Sequence, residues 1–173
     1  MKANRKLFVL SGLPFSGKST LLKSVSELTR IKTISFDVLW KELEQDPNEK
    51  NKLSFEYLTE IIDKRIAQLL GEGYSVMYDS LNDTPDQRES LSNIAKVANA
   101  PSKIIYLETP LEIIKTRRSE NTKSMGRHLV DDENFDKSIN KFVVPLEDEN
   151  VLTFRYDEDL TLWIKKNLSE YLR

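Results

Sequence analysis

Cysteine is absent from the chain, and among its 173 residues there is one histidine, His128. Without thiols there is no disulfide framework and no thiolate metal site. That fits a reducing cytoplasm, which is the expected location. His128 has no second imidazole at metal-ligand spacing and reads as a surface or packing residue. Long hydrophobic runs are missing too, and no stretch approaches the roughly 20 apolar residues that cross a bilayer. The basic-then-apolar start is no secretion signal, because its apolar run is short, reaches Lys18 and lacks a small-residue cleavage site. Nor does one sign of charge dominate. Lys and Arg number 26 against 28 Asp and Glu, a net charge of −2, which exerts no global pull toward nucleic acid. There is no internal repeat, low-complexity tract or linker, so a single domain over residues 1–173 is expected. Glycine is scarce, with five in the chain, and two of these fall in one stretch.

That stretch, Gly12-Leu13-Pro14-Phe15-Ser16-Gly17-Lys18-Ser19-Thr20, has the pattern G-x-x-x-x-G-K-[ST] of a phosphate-binding loop. Lys6 to Leu10 before it is a short run of strand type, and Leu21, Leu22, Val25 and Leu28 after it recur with helical spacing. A strand feeding a glycine loop that opens a helix aims several backbone N–H groups and the positive end of the helix dipole at one point. Such a point binds anions. The candidate nucleotide ligands are Gly12, Pro14, Ser16, Gly17, Lys18, Ser19 and Thr20. The glycines permit close backbone approach, Lys18 reaches the β- and γ-phosphates, and the Ser19 hydroxyl can ligate Mg²⁺.

Four further strand-type runs follow: Lys32–Phe36, Tyr74–Tyr78, Lys103–Leu107 and Val151–Arg155. They alternate with amphipathic segments, which argues for a parallel sheet covered on both faces. Thr84 and Pro85 read as a helix cap and first turn, and Ile139, Phe142 and Val143 suggest a helix stopped by Pro145. Ligands of such sheets sit beyond the carboxyl ends of the strands, where the glycine loop, Asp37 and Asp79 all fall.

The chemistry this supports is phosphoryl transfer, which needs a phosphate cradle, Mg²⁺, a positioned nucleophile and cations around the moving group. Asp37, at the end of the second strand, can accept a proton from a substrate hydroxyl or hold it in line, and is equally a good helix cap. Asp79 ends an apolar strand and can hold Mg²⁺ directly or through water, or simply begin a turn. The arginine-rich stretch 117–132 reads as a lid, with Arg117 or Arg118 near the base and Arg127 as a catalytic residue on the transferring phosphate. Trp40 and Trp163 read as core, although Trp40 is close enough to Asp37 to line an acceptor pocket.

Together these residues resemble the P-loop kinases related to polynucleotide 5′-hydroxyl kinase and chloramphenicol phosphotransferase, the zeta-toxin-like group. The resemblance rests on the glycine loop, on Asp37 at the position of the family's general base, on Asp79-Ser80-Leu81-Asn82 with Arg88 following, and on the lid from Arg118 through Arg127 to Pro145-Leu146-Glu147. It implies a three-layer P-loop NTPase fold with sheet order 2-3-1-4-5, ATP as donor, and transfer of the γ-phosphoryl to a hydroxyl. It also implies an acceptor site drawing on Asp37, Trp40, Asp79, Asn82 and Arg88. The sequence departs from these relatives at Phe15, where glycine is common, and after Asp37, where polynucleotide kinases carry an arginine and this chain has Val38-Leu39-Trp40. The apolar replacement disfavours a nucleic-acid acceptor without excluding an RNA or DNA 5′ end.

Other readings remain. A nucleoside-monophosphate kinase needs cations for its phosphate acceptor, and Lys41, Lys50 and Lys52 supply charge there without an arginine. A non-catalytic ATP-binding switch would use the same loop. The missing N-K-x-D disfavours a GTPase, and an AAA+ machine calls for a longer chain with a helical lid domain.

Overall fold

A computed structural model describes residues 5–80, 82–123 and 132–173. Its centre is β1 (Leu7–Ser11), five residues that are all buried. Alternation along the strand sends Phe8 and Leu10 to one face and Leu7 and Val9 to the other. Both faces are apolar because helices cover both. The remaining strands are β2 (Lys32–Ser35), β3 (Val76–Asp79), β4 (Ser102–Glu108) and β5 (Val151–Arg155). The helices are α1 (Lys18–Leu28), α2 (Phe36–Gln45), α3 (Phe55–Gly71), α4 (Pro85–Val97), α5 (Leu111–Lys123), α6 (Asp132–Lys141) and α7 (Leu160–Asn167).

The sheet runs β2-β3-β1-β4-β5 with every described pairing parallel, the order of a P-loop NTPase. Leu21, Leu22 and Val25 of α1 and Trp163 and Ile164 of α7 pack on Phe8 and Leu10. Leu58, Ile62, Ile66 and Leu70 of α3, with Leu91 and Ala95 of α4, pack on Leu7 and Val9. Three layers result, as expected. Trp163 is core, edge-on to Phe154 with its indole N–H donating to the Thr153 carbonyl at 3.0 Å.

Element ends differ from the expected ones where side chains redirect the backbone. β2 stops at Ser35, whose Oγ accepts from the Val38 N–H at 3.4 Å and so caps α2. Asp37 therefore lies in the first helical turn and is not the cap. Tyr74 and Ser75 precede β3, and Asp79 is its last residue. Thr84 and Gln87 form a reciprocal capping box around Pro85, as the sequence pattern suggested. α6 ends at Lys141, before Phe142 and Val143. The Val143 N–H donates to the Asp83 carbonyl at 2.8 Å, and the Phe142 ring stacks 6.0 Å from Tyr106. Those contacts hold Phe142 against β4 and Val143 against the turn after β3. No helix among the described residues is long and apolar enough to cross a membrane.

Candidate active site

β1 delivers the glycine loop to the carboxyl edge of the sheet, and α1 leaves from it. Gly17 takes a left-handed φ of 109° at the helix N-cap. No side chain bonds that cap and no acid occupies the first turn, so the opening N–H groups of α1 remain directed at an anion. At Gly12 a Cβ would lie 2.9 Å from Ser16 Oγ and 3.2 Å from the Leu107 carbonyl, which leaves no space for a side chain. Pro14 and Ser16 form the turn between the glycines, closed by the Ser16 N–H donating to the Leu13 carbonyl at 3.1 Å. Thr20 is exposed at the end of the loop.

The Lys18 ammonium donates to the Gly12 carbonyl at 2.6 Å and to the Leu13 carbonyl at 3.1 Å. Burial pulls it below its ordinary pKa, while the carboxylates of Asp79, Asp83 and Asp37 oppose that shift. Ser19 Oγ donates to Asp79 Oδ2 at 3.2 Å, bringing together the hydroxyl and carboxylate expected at Mg²⁺. Asp79 is 7% exposed, and burial raises its carboxyl above the ordinary range against the pull of Lys18 and of the Ser19 hydroxyl. Among the described residues no group of three or more histidines or acids forms a metal cage. A serine hydroxyl and one carboxylate fit Mg²⁺, which keeps waters and takes its other ligands from phosphates. Asp37 is exposed at the start of α2, close enough for its charge to act on both Lys18 and Asp79.

Beside Asp37 lies an aromatic group. Phe36 stacks on Trp40 with centroids 6.0 Å apart and meets Phe55 at 5.2 Å. Trp40 is half-buried against the α3–α4 side of the core, so it is both core and rim.

Two residues expected at the acceptor are committed elsewhere. Asn82 Nδ2 donates to the Leu10 carbonyl at 2.7 Å, and the Asn82 carbonyl accepts from Ser11 Oγ at 3.0 Å, stitching the turn after β3 to β1. Arg88 is 1% exposed and grips Glu149 with Nε at 2.7 Å and Nη2 at 2.9 Å. Its Nη1 donates to the carbonyls of Asn82 and Val143, both at 3.1 Å. These side chains hold the site's framework, joining the turn after β3 to β1, Val143 and Glu149.

Of the two described arginines in the stretch expected to form a lid, Arg117 lies against the loop. Arg117 Nη1 donates to the carbonyls of Phe15 at 3.2 Å and Ser16 at 3.0 Å. The Arg118 guanidinium pairs with Asp132 and lies 4.3 Å over the Phe135 ring. Phe15, at the position where the resembled kinases commonly carry glycine, has a φ of 65°. A left-handed non-glycine residue costs about 1–2 kcal/mol. Its ring meets Phe135 at 6.1 Å, and such an aromatic pair returns about 0.5–1.5 kcal/mol. Arg127 and His128 lie outside the described residues.

Sequence reasoning missed Asp83. It is 3% exposed, and its charge acts on Lys18. The only signal in the sequence was its place next to Asn82, four residues beyond Asp79.

A family model described as an AAA domain, AAA_33, matches residues 7–145. The chain belongs to that family. The matched span of this AAA_33 protein runs from β1 through the glycine loop and the Asp79–Arg88 segment to Pro145. Over 173 residues it is 29% identical to an L-seryl-tRNA(Sec) kinase of Methanococcus maripaludis, covering 96% of this chain and 68% of that one. Among solved structures it is similar to Chaetomium thermophilum Kti12 in complex with ADP-AlF3, with a TM-score of 0.74, 18% identity and coverage of 96% and 99%. It is likewise similar to a gluconokinase from Sinorhizobium meliloti 1021, with a TM-score of 0.67, 15% identity and coverage of 97% and 92%. At those identities the structural likeness establishes the fold.

Proposed function

We propose that this AAA_33 protein is an ATP-dependent kinase that transfers the γ-phosphoryl group to an alcohol hydroxyl of a small molecule or of a nucleic-acid 5′ end, the small molecule being favoured. One observation carries the reading: Asp37 is an exposed carboxylate at the mouth of a phosphate cradle, and its charge reaches both Lys18 and Asp79. A binding switch has no need of a solvent-facing base there. A kinase does. The similarity to a protein named L-seryl-tRNA(Sec) kinase supports the same class, as does the resemblance to the polynucleotide kinase and chloramphenicol phosphotransferase group.

In this reading residues 1–173 form one kinase domain, and 117–132 close over ATP. The N–H groups of the loop and Lys18 hold the β- and γ-phosphates. Ser19 and Asp79 hold Mg²⁺, which supplies charge neutralisation at the phosphates. Asp37 orients the acceptor hydroxyl and takes its proton as the oxygen–phosphorus bond forms. The bond from the γ-phosphorus to the β–γ bridging oxygen breaks and ADP leaves. Arg127 spreads the charge of the moving group. Arg117 and Arg118 act on the nucleotide through the loop and α6. Trp40 lines the acceptor side.

The test is transfer of labelled γ-phosphate to nucleosides, nucleoside monophosphates, sugars, amino alcohols, hydroxyl antibiotics and 5′-hydroxyl oligonucleotides, with Lys18→Ala as the blank. Asp37→Asn should retain ATP affinity and lose turnover by two or more orders of magnitude, as roughly 10²–10⁴-fold is the usual contribution of a general base. Full turnover by that variant on the true acceptor would remove Asp37 from the mechanism. Tight ATP binding without transfer to any acceptor would favour the switch.

A further inference from the structure

Phe15 holds a backbone conformation that glycine takes freely and phenylalanine takes only under strain. The Ser16 N–H closes onto the Leu13 carbonyl at 3.1 Å, so Leu13-Pro14-Phe15-Ser16 is a β-turn with Pro14 and Phe15 at its centre. Proline fixes a negative φ at the second position, and Phe15 follows with a φ of 65°. That is the pattern of a type II turn, whose third position selects glycine because a side chain is strained there. The peptides of this turn belong to the loop whose N–H groups cradle phosphate. A turn that relaxed at Phe15 would re-aim them.

Contacts from two helices hold Phe15 in place. Arg117 Nη1, on α5, donates to the Phe15 carbonyl at 3.2 Å and to the Ser16 carbonyl at 3.0 Å. The Phe15 ring meets that of Phe135, on α6, with centroids 6.1 Å and planes 60° apart. Phe135 in turn carries the Arg118 guanidinium 4.3 Å over its ring. It is the one buried residue of α6, and it belongs to neither apolar core. The anchor of α6 thus meets the glycine loop and α5. Building on the reading of this loop as an ATP site, we propose that Phe135 is a positioning residue for the nucleotide. Packed on Phe15, it holds the strained turn in its phosphate-binding form, so that docking of α6 and binding of ATP favour each other. Such coupling is reciprocal: each event strengthens the other by the same factor. It depends on Phe15, since glycine would adopt this turn without strain and without a ring for Phe135 to meet.

Titration calorimetry with Mg²⁺ and ATP on the native chain, Phe135→Ala, Phe15→Gly and the double variant measures the coupling. An aromatic pair of this kind predicts that Phe135→Ala weakens ATP binding roughly 3–10-fold in the native background. Beside Phe15→Gly the same change should cost less than about twofold. Hydrogen exchange across α6 supplies a second readout that needs no change at Phe135. Saturating ATP should raise amide protection over 132–141 by roughly 3–10-fold in the native chain, and by less than about twofold in Phe15→Gly. If Phe135 served only to hold α6 together, its loss would act alike in both backgrounds. Equal losses of ATP affinity in the two backgrounds, or no loss in either, would overturn the inference and leave the ATP-site reading intact. So would α6 protection that ATP leaves unchanged or raises equally in Phe15→Gly. No ATP bound by the native chain would overturn both.

Discussion

Replacing Arg88 by alanine separates a framework residue from an acceptor ligand. The guanidinium is 1% exposed and makes a bidentate pair with Glu149, whose side chain is 19% exposed. Removing it leaves that carboxylate half-buried without its partner and deprives the Val143 carbonyl of a donor; the Asn82 carbonyl keeps Ser11. Breaking a buried ion pair from one side costs about 3–5 kcal/mol, and the partial exposure of Glu149 places this case at the lower end. The orphaned carbonyl adds about 1 kcal/mol. A loss of about 3–4 kcal/mol is a large share of the roughly 5–15 kcal/mol that holds a domain folded. At about 2–4 °C per kcal/mol for this size, Tm should fall by roughly 6–16 °C. Thermal unfolding followed by circular dichroism measures it, with Glu149→Gln as a milder companion losing about 1–2 kcal/mol.

The pH dependence carries its own sign. Arg88 holds the Glu149 carboxyl below its ordinary value of 4.5. A depressed folded pKa gives stability that is present above the unfolded value and is lost as pH falls through the folded one. This acid-side loss should shrink in Arg88→Ala to the part contributed by the Leu146 N–H, which also bonds the Glu149 carboxylate. A variant whose Tm stays within about 2 °C of the native chain, while the acceptor KM rises about tenfold, would refute the framework role.

Two further predictions concern the phosphate cradle. Gly12→Ala should weaken ATP binding at least about tenfold, because its Cβ meets Ser16 Oγ at 2.9 Å and the Leu107 carbonyl at 3.2 Å; titration calorimetry reads this, and unchanged affinity would mean the loop yields freely. Asp79→Asn should raise the urea midpoint of the protein without nucleotide, because the buried carboxyl has its pKa raised and its ionisation opposes folding as pH rises through the window above the unfolded value. The same variant should lose stabilisation by Mg²⁺ and ATP, and a lower midpoint without ligand would show that its bond to Ser19 outweighs desolvation.

The glycine loop was legible from sequence because it is local: its residue types, the strand before it and the helical period after it all lie within one stretch. Asp79 was legible for the same reason, as the last residue of an apolar strand. The start of α2 was misread by two residues, since Ser35 and Asp37 are both good caps and only the Ser35–Val38 bond decides between them. Phe142 and Val143 kept the apolar spacing of a helix but left α6 for contacts with Tyr106 and Asp83, far away in sequence.

The sequence by itself determined the anion-binding loop, the alternation of strands and helices, and the acids at strand ends, because each depends on neighbours a few residues apart. Tertiary structure decided what those residues face. Arg88 and Asn82 look like ligands in the chain, and folding engages both with Glu149, Val143 and Leu10, which arrive from distant elements. Asp83 looks like a turn residue, and folding brings it close enough to Lys18 for the two charges to act on each other. Whether a charge is satisfied depends on partners 50 or more residues away, and local pattern carries no record of them.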